Sequence, residues 1–222
     1  MAFNIAIDGP AGAGKSTIAK EAAKELGFMY VDTGAMYRTL ALGLIAAGTD
    51  IEDEAALQRD LDAMNVEAVY QDGAQLMYLD GKDVTGQLRR EEVGNMASMS
   101  SAKSPVRAKL LALQRDVAAK YDLIMDGRDI GTMILPDAPL KIYLTASVEV
   151  RARRRYDELC AKGEECDLAT IEREIRERDW RDMNRDIAPL KKADDAVYVD
   201  SSYLSIGEVT QKIVSLARER MA

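Results

Sequence analysis

Gly9-Pro10-Ala11-Gly12-Ala13-Gly14-Lys15-Ser16 is the stretch of sequence that decides the fold. It matches the pattern G-x-x-x-x-G-K-[ST], and it lies between a short apolar run and a segment with helical periodicity. Its small residues allow backbone N–H groups to close around a phosphate, and the start of the following helix adds a partial positive charge. A chance glycine-rich turn is the alternative, but it would not require a strand before the loop and a helix after it. We therefore interpret the stretch as a phosphate-binding loop.

This loop predicts the binding of a nucleoside triphosphate and Mg²⁺. Lys15 is expected to contact the β- and γ-phosphates, and the Ser16 hydroxyl to bind Mg²⁺, with Thr17 completing the nucleotide-binding set. The N-K-x-D motif of GTPases and the L-S-G-G-Q motif of transporter ATPases are both absent from the sequence. A mass of 24.4 kDa and a loop close to the start of the chain favour a small-molecule kinase.

The composition predicts one globular domain of an acidic protein. The chain has 222 residues, 47% of them hydrophobic, and a formal net charge of -8. A general nucleic-acid-binding surface is excluded, because it would need an excess of basic residues. No run approaches the roughly 20 apolar residues that span a bilayer, and the start of the chain lacks a signal peptide, so we expect a cytoplasmic protein. The acidic exterior and modest size favour a monomer. Cys160 and Cys166 are expected to be reduced thiols.

Apolar runs that alternate with helical segments predict an α/β fold with a central parallel sheet in a three-layer core. The predicted strands are 3–7, 29–31, 123–125, 140–144 and 197–199, and the predicted helices include 15–26, 35–47 and one from about Ile206. Short alternation over 66–84, with turns at Asp72-Gly73 and Asp80-Gly81, predicts a small antiparallel insert. We expect a core of about 1–35, 104–150 and 187–222, an acceptor-binding lobe of about 36–103, and a lid of about 151–186.

Several segments together resemble one known family. Asp32-Thr33-Gly34-Ala35-Met36-Tyr37-Arg38 is similar to the D-[ST]-G-x-x-Y-R signature of bacterial cytidylate kinases. The segments 97–98, 104–107, 127–132 and 178–185 agree with the same family in the same order, so the resemblance covers essentially the whole chain. It implies the reaction ATP + CMP → ADP + CDP, with dCMP as a second acceptor and no nucleic-acid or membrane partner.

The resemblance also implies roles for individual residues. Base contacts fall to Ser98, Arg107 and Asp129, phosphate contacts to Arg38, Arg107 and Arg128, and sugar contacts to Asp182 and Arg185, while Asp32 and Thr33 belong to the same acceptor site. The chemistry of Asp129 supports its role, because a carboxylate accepts a hydrogen bond from the N4 amine of cytosine. Uracil presents a carbonyl oxygen at that position, which would face the carboxylate lone pairs.

Each of these side chains also has a purely structural interpretation. Arg38 could be an ordinary solvated residue on a helix, and Asp129 could cap a turn. Asp126, at the end of an apolar strand, could be a hydrated loop carboxylate or could assist Mg²⁺ through water.

The charged segment 151–186 predicts an arginine-rich helical lid. The resemblance implies that Arg155, Arg178 and Arg181 contact the transferred phosphoryl group, together with Lys15. For Arg151 and Arg176 we favour the alternative of a solvated helix with ion pairs.

Two further functions remain open at this point. A kinase for UMP or for a hydroxy acid would share the loop and the lid, and a nucleotide-dependent switch would share the loop alone.

Overall fold

The computed structural model describes residues 2–71 and 73–222. Its strands are β1 (Asn4–Asp8), β2 (Met29–Asp32), β3 (Val66–Gln71), β4 (Ala74–Leu79), β5 (Lys82–Asp83), β6 (Leu123–Gly127), β7 (Leu140–Thr145) and β8 (Val197–Asp200). Its helices are α1 (Lys15–Leu26), α2 (Thr33–Ala47), α3 (Glu54–Ala63), α4 (Glu91–Ser100), α5 (Ser104–Lys120), α6 (Val148–Ala161), α7 (Leu168–Asn184) and α8 (Ile206–Met221).

The central sheet is parallel and has the strand order β2-β6-β1-β7-β8. Side chains alternate between its two faces: Ile5 and Ile7 pack in one cluster with α1 and α8, while Ala6 packs in the other with α2 and α5. The predicted three-layer α/β core is therefore confirmed, with strand ends that differ from the predicted ones by one or two residues. All five strands end at the same edge of the sheet, which places the residues that follow them close together.

A small antiparallel sheet, with the order β3-β4-β5, forms the predicted insert. Its second turn has the predicted residues, and both Asp80 (φ 51°) and Gly81 (φ 76°) adopt the left-handed conformation that a tight hairpin turn requires. The first predicted turn includes Asp72, which lies outside the described residues.

The side-chain amide of Gln75 on β4 connects this insert to the core. Its oxygen accepts a hydrogen bond from the N–H of Asp32 (2.8 Å), and its nitrogen donates one to the C=O of the same residue (3.1 Å). Asp32 is the last residue of β2, the edge strand of the central sheet. The Gln75 amide therefore pairs with this strand as a neighbouring strand would.

Helices α6 and α7 make up most of the segment predicted as a lid, and Arg151 lies near the start of α6. The Arg151 side chain is only 4% exposed. It donates to both carboxylate oxygens of Asp179 (3.1 and 2.6 Å) and to the carbonyl oxygens of Ala146 (2.9 Å) and Ala11 (3.0 Å). The prediction of a solvated Arg151 was therefore wrong, because its helix face packs against a charged partner that helical periodicity does not reveal.

The rest of the lid is more polar and more exposed. Arg176 does lie on the surface, where it pairs with Glu149 (2.9 Å) and Glu172. Cys160 and Cys166 are free thiols at the α6–α7 turn, with their Sγ atoms 3.7 Å apart.

No described helix combines the length and apolar character that crossing a membrane requires.

Arg151→Met is expected to lower the free energy of unfolding by about 3–5 kcal/mol, because the Asp179 carboxylate would remain buried without its partner. Urea unfolding followed by circular dichroism measures this change. Arg176→Met is the matched control: it removes a surface arginine from the same lid and should leave the unfolding midpoint almost unchanged. Equal stability of the two variants would contradict the structural role of Arg151.

Candidate active site

The predicted phosphate-binding loop follows β1 and leads into α1, as its sequence requires. A Cβ atom at Gly9 would lie 1.8 Å from the carbonyl oxygen of Leu144, so only glycine allows the loop to pass this close to β7. The Lys15 side chain folds back and donates to the carbonyl oxygen of Pro10 (2.8 Å). The Lys15 ammonium group is thus held against the loop that precedes it.

Burial lowers the pKa of the Lys15 ammonium group, and the nearby Arg128 guanidinium lowers it further. Asp126 and Asp8 oppose this effect only in part. An anion beside Lys15 would therefore restore its positive charge.

Ser16, which is predicted to bind Mg²⁺, lies beside Asp126. The Ser16 hydroxyl donates to one Asp126 oxygen (2.9 Å), and the Tyr30 hydroxyl donates to the other (2.9 Å). Asp126 is buried, and burial raises its pKa, so its interpretation as a hydrated loop carboxylate was wrong. These hard oxygen atoms suit Mg²⁺, which typically binds one or two carboxylates together with nucleotide phosphates. The described residues contain no group of three or more His, Cys, Asp or Glu side chains that could hold a metal ion without nucleotide phosphates.

Asp129 occupies the centre of the predicted acceptor site. Its carboxylate is bonded to the Arg107 guanidinium and lies 3.3 Å from Nη2 of Arg185. Burial raises the pKa of Asp129, and the two arginines oppose that rise. The side chain makes no capping hydrogen bond to the helical turn Ile130–Ile134 that follows it, so the interpretation as a turn cap was wrong. The structure therefore brings Arg107, Asp129 and Arg185 together.

Two further residues, which the sequence reasoning missed, complete this cluster. Ser101 accepts from Arg185 through its hydroxyl oxygen (3.2 Å) and from Arg107 through its carbonyl oxygen (3.3 Å). The Tyr37 ring lies under the Arg107 guanidinium, 5.8 Å from its central carbon. Tyr37 is part of the quoted signature and could have been found there, whereas Ser101 carries no such signal. Within the described chain, the Ser98 side chain makes no hydrogen bond to this cluster.

Two of the arginines predicted to bind the acceptor phosphate also pair with carboxylates that are predicted to belong to the acceptor site. Arg38 lies 3.4 Å from Asp32, whose other oxygen caps α2, and Nε of Arg128 donates to Asp182 (2.9 Å). Only 20% of the Arg38 side chain is exposed, so it is not an ordinary solvated residue.

Thr33, another predicted acceptor-site residue, binds the backbone of the core. Its hydroxyl donates to the carbonyl oxygen of Asp126 (2.7 Å).

The three predicted lid arginines have different surroundings. Arg178 is half-buried, and this burial together with the nearby Arg128 lowers its pKa to about 10. Its Nε atom is buried without a hydrogen-bond partner. Arg181 is exposed on α7 near Arg178, and Arg155 pairs with Glu158 on the surface of α6 (3.0 Å). The structure therefore brings Arg178, but not Arg155, into the cluster of cations around Lys15.

Comparisons with known proteins find one family over nearly the whole chain. The family model described as cytidylate kinase matches residues 5–219. A cytidylate kinase of Halalkalibacterium halodurans is 47% identical over 219 residues, covering 99% of both chains. One from Caldicellulosiruptor saccharolyticus is 48% identical over 214 residues, covering 96% of this chain and 95% of the relative.

Solved structures support the fold alone. A Thermus thermophilus protein is similar with a TM-score of 0.53 at 15% identity, covering 100% of this chain and 98% of that one. An uncharacterized protein from Eubacterium ventriosum is similar with a TM-score of 0.52 at 14% identity, covering 97% and 98% of the two chains.

ATP binding at pH 8.5 is expected to take up protons. The lowered pKa of Lys15 leaves part of its population neutral in the free protein, and the phosphates of ATP raise that pKa again. Calorimetric titration with ATP in two buffers of different ionisation enthalpy measures the uptake.

Lys15→Arg should bind ATP without this uptake, since a guanidinium stays protonated, and Lys20→Met on the same helix should leave the uptake unchanged. Identical apparent enthalpies in the two buffers would contradict the lowered pKa.

Proposed function

The chain belongs to the cytidylate kinase family, and from this we infer that it transfers the γ-phosphoryl group of ATP to CMP or dCMP, forming ADP and CDP or dCDP. The observation that carries this proposal is the buried Arg107–Asp129–Arg185 cluster at the same sheet edge as the phosphate-binding loop. A carboxylate able to recognise a cytosine ring therefore lies at the same edge of the sheet as a loop able to hold a triphosphate. A kinase for a hydroxy acid, or a nucleotide-dependent switch, would have no need of this cluster.

We propose that Gly9–Thr17 hold ATP through backbone N–H groups and the Lys15 ammonium group. Ser16 and Asp126 would hold Mg²⁺. When bound, Mg²⁺ neutralises charge on the β- and γ-phosphates. Tyr30 keeps the Asp126 carboxylate oriented toward Ser16 through its own hydrogen bond.

The acceptor phosphate is proposed to bind Arg38 and Arg128, with Thr33 beside them. In the free protein these guanidinium groups pair with Asp32 and Asp182. Each arginine has further N–H groups, so it can bind a phosphate oxygen and keep its carboxylate as an orienting partner.

The base is proposed to be recognised by Asp129, which accepts from the N4 amine of cytosine, with Arg107 and Ser98 around it. Asp182 and Arg185 would contact the sugar. Since burial and ion pairs with two arginines hold Asp129 in place, its carboxylate would meet the base in one orientation. A uracil carbonyl would meet the same lone pairs and be rejected.

The lid is proposed to bring Arg178, Arg181 and Arg155 to the transferred phosphoryl group and to exclude water. Arg178 is already half-buried near Arg128, and its buried Nε atom has no hydrogen-bond partner. No side chain has to act as a strong base, because the acceptor phosphate is itself anionic. The division into a core, an acceptor-binding lobe (about 36–103) and a lid (about 151–186) and the cytoplasmic, monomeric state belong to the same proposal.

A coupled ADP-release assay with Mg-ATP tests the proposal against CMP, dCMP, UMP, AMP, GMP and no acceptor. CMP and dCMP should give strong turnover, UMP weaker turnover, and the reaction without acceptor almost none. If no nucleotide raised ADP release above background, the proposed acceptor would be wrong.

Arg181→Ala is expected to lower kcat by about 100- to 1000-fold with a much smaller change in the KM for CMP, because its contact is proposed to form in the transition state. Steady-state kinetics at saturating ATP measure both constants. Arg176→Ala, one surface arginine earlier on the same helix, is the control and should keep near-normal values. An unchanged kcat with a raised KM would show that Arg181 only binds the acceptor.

A further inference from the structure

Asp8, the last residue of β1, makes a contact that the proposed reaction does not yet use. Its two carboxylate oxygens accept hydrogen bonds from the backbone N–H groups of Ile130 and Gly131, both at 2.7 Å. Asp8 is 5% exposed and precedes the phosphate-binding loop by one residue. One buried carboxylate thus links β1 to the segment Gly127–Gly131, which carries Arg128 and Asp129.

The position of Asp129 makes this contact informative. Asp129 directly precedes the helical turn Ile130–Ile134, a place where an aspartate side chain usually accepts from the N–H groups of that turn. An N-cap side chain reaches the second or third N–H of the turn, here that of Gly131 or Thr132. Asp8 accepts from Gly131 and also from Ile130, the first N–H, and Asp129 makes no capping bond. The Asp129 carboxylate instead pairs with Arg107 and Arg185.

The ionised form of Asp8 suits this task, because a carboxylate accepts at both oxygens and donates from neither. Burial raises its pKa to about 7, while the two N–H bonds and Lys15 oppose the rise and Asp129 adds to it. At pH 8 the ionised form predominates. Gly131 also packs closely against Asp8. A Cβ atom on Gly131 would lie 3.3 Å from an Asp8 oxygen and 3.1 Å from the Lys141 side chain.

We propose that Asp8 is a positioning residue for acceptor recognition: it caps the Ile130–Ile134 turn in place of Asp129 and so leaves the Asp129 carboxylate free to read the base. This inference rests on the proposed role of Asp129. Asp8 acts through that neighbour and touches neither nucleotide itself.

Asp8→Asn tests the proposal, because its amide can accept from only one of the two N–H groups and presents an NH₂ group to the other. We expect Asp129 then to accept from the Gly131 N–H, the group within reach of an N-cap side chain, and to leave Arg107 and Arg185. The ratio of kcat/KM for CMP to that for UMP, measured at pH 8, should fall about tenfold or more. Asp8→Asn also removes a charge that raises the pKa of Lys15, so any change in the KM for ATP should be the same with CMP and with UMP and should not alter the ratio.

A double-mutant cycle with Asp129→Asn separates this role from simple destabilisation. Asp129→Asn alone should lower the CMP-to-UMP ratio, and adding Asp8→Asn to it should change the ratio by less than about twofold. Asp122→Asn is the matched control, since Asp122 accepts from the Phe3 N–H (2.6 Å) at the opposite end of β6. Its ratio should equal that of the unsubstituted protein.

Three outcomes would overturn the proposal, and they can be told apart. An unchanged ratio in Asp8→Asn with a lower melting temperature would leave Asp8 a structural role only. An equal loss with and without Asp129 would show that Asp8 acts independently of it. An unchanged ratio in Asp129→Asn would refute the proposed reading of the base, and this inference with it.

Circular dichroism establishes that each variant is folded, and Asp8→Ser, which keeps one acceptor, replaces Asp8→Asn if that variant is not. If neither folds, hydrogen exchange in the unsubstituted protein decides. The Ile130 and Gly131 amides should exchange slowly with and without CMP, and fast exchange in the CMP complex would overturn the proposal.

Discussion

Buried carboxylates hold a cluster of positive charges together before any phosphate group enters it. Burial lowers the pKa of both Lys15 and Arg178, and the nearby Arg128 guanidinium lowers both further. Asp126 and Asp182 offset this effect at short range. A protein with a net charge of -8 attracts no phosphate through its overall field, so this local concentration of cations has to be built from such pairs.

The pairs also orient the cations for their proposed work. A guanidinium group fixed on one side by a carboxylate presents its remaining N–H groups in a known direction, and phosphate oxygens can bind there with little loss of side-chain entropy. Asp129 extends the same principle to the base, because two arginines fix a carboxylate. The chain contains no His, and this arrangement has no need of one.

Local pattern allowed the sequence to predict the phosphate-binding loop, α1 from Lys15 to Leu26 and the insert, because each depends on residues close together in the chain. Contacts between distant residues could not be predicted in the same way. Arg151 is 28 residues from Asp179, and Asp8 is 122 residues from Ile130. Helical periodicity marks a face but does not identify its partner, which is why Arg151 was placed in solvent and Asp8 and Ser101 were missed.

Through Gln75, the inserted sheet also covers part of an exposed edge of the central sheet. Strand β2 is an edge of the central sheet, and such an edge offers unpaired N–H and C=O groups to any other extended chain. The Gln75 amide occupies both groups of Asp32, and β4 covers the approach to them. The inserted sheet thus also protects this edge from aggregation. A shortened chain without the insert would expose the unpaired N–H and C=O groups of β2 to other chains whenever it refolded at high concentration.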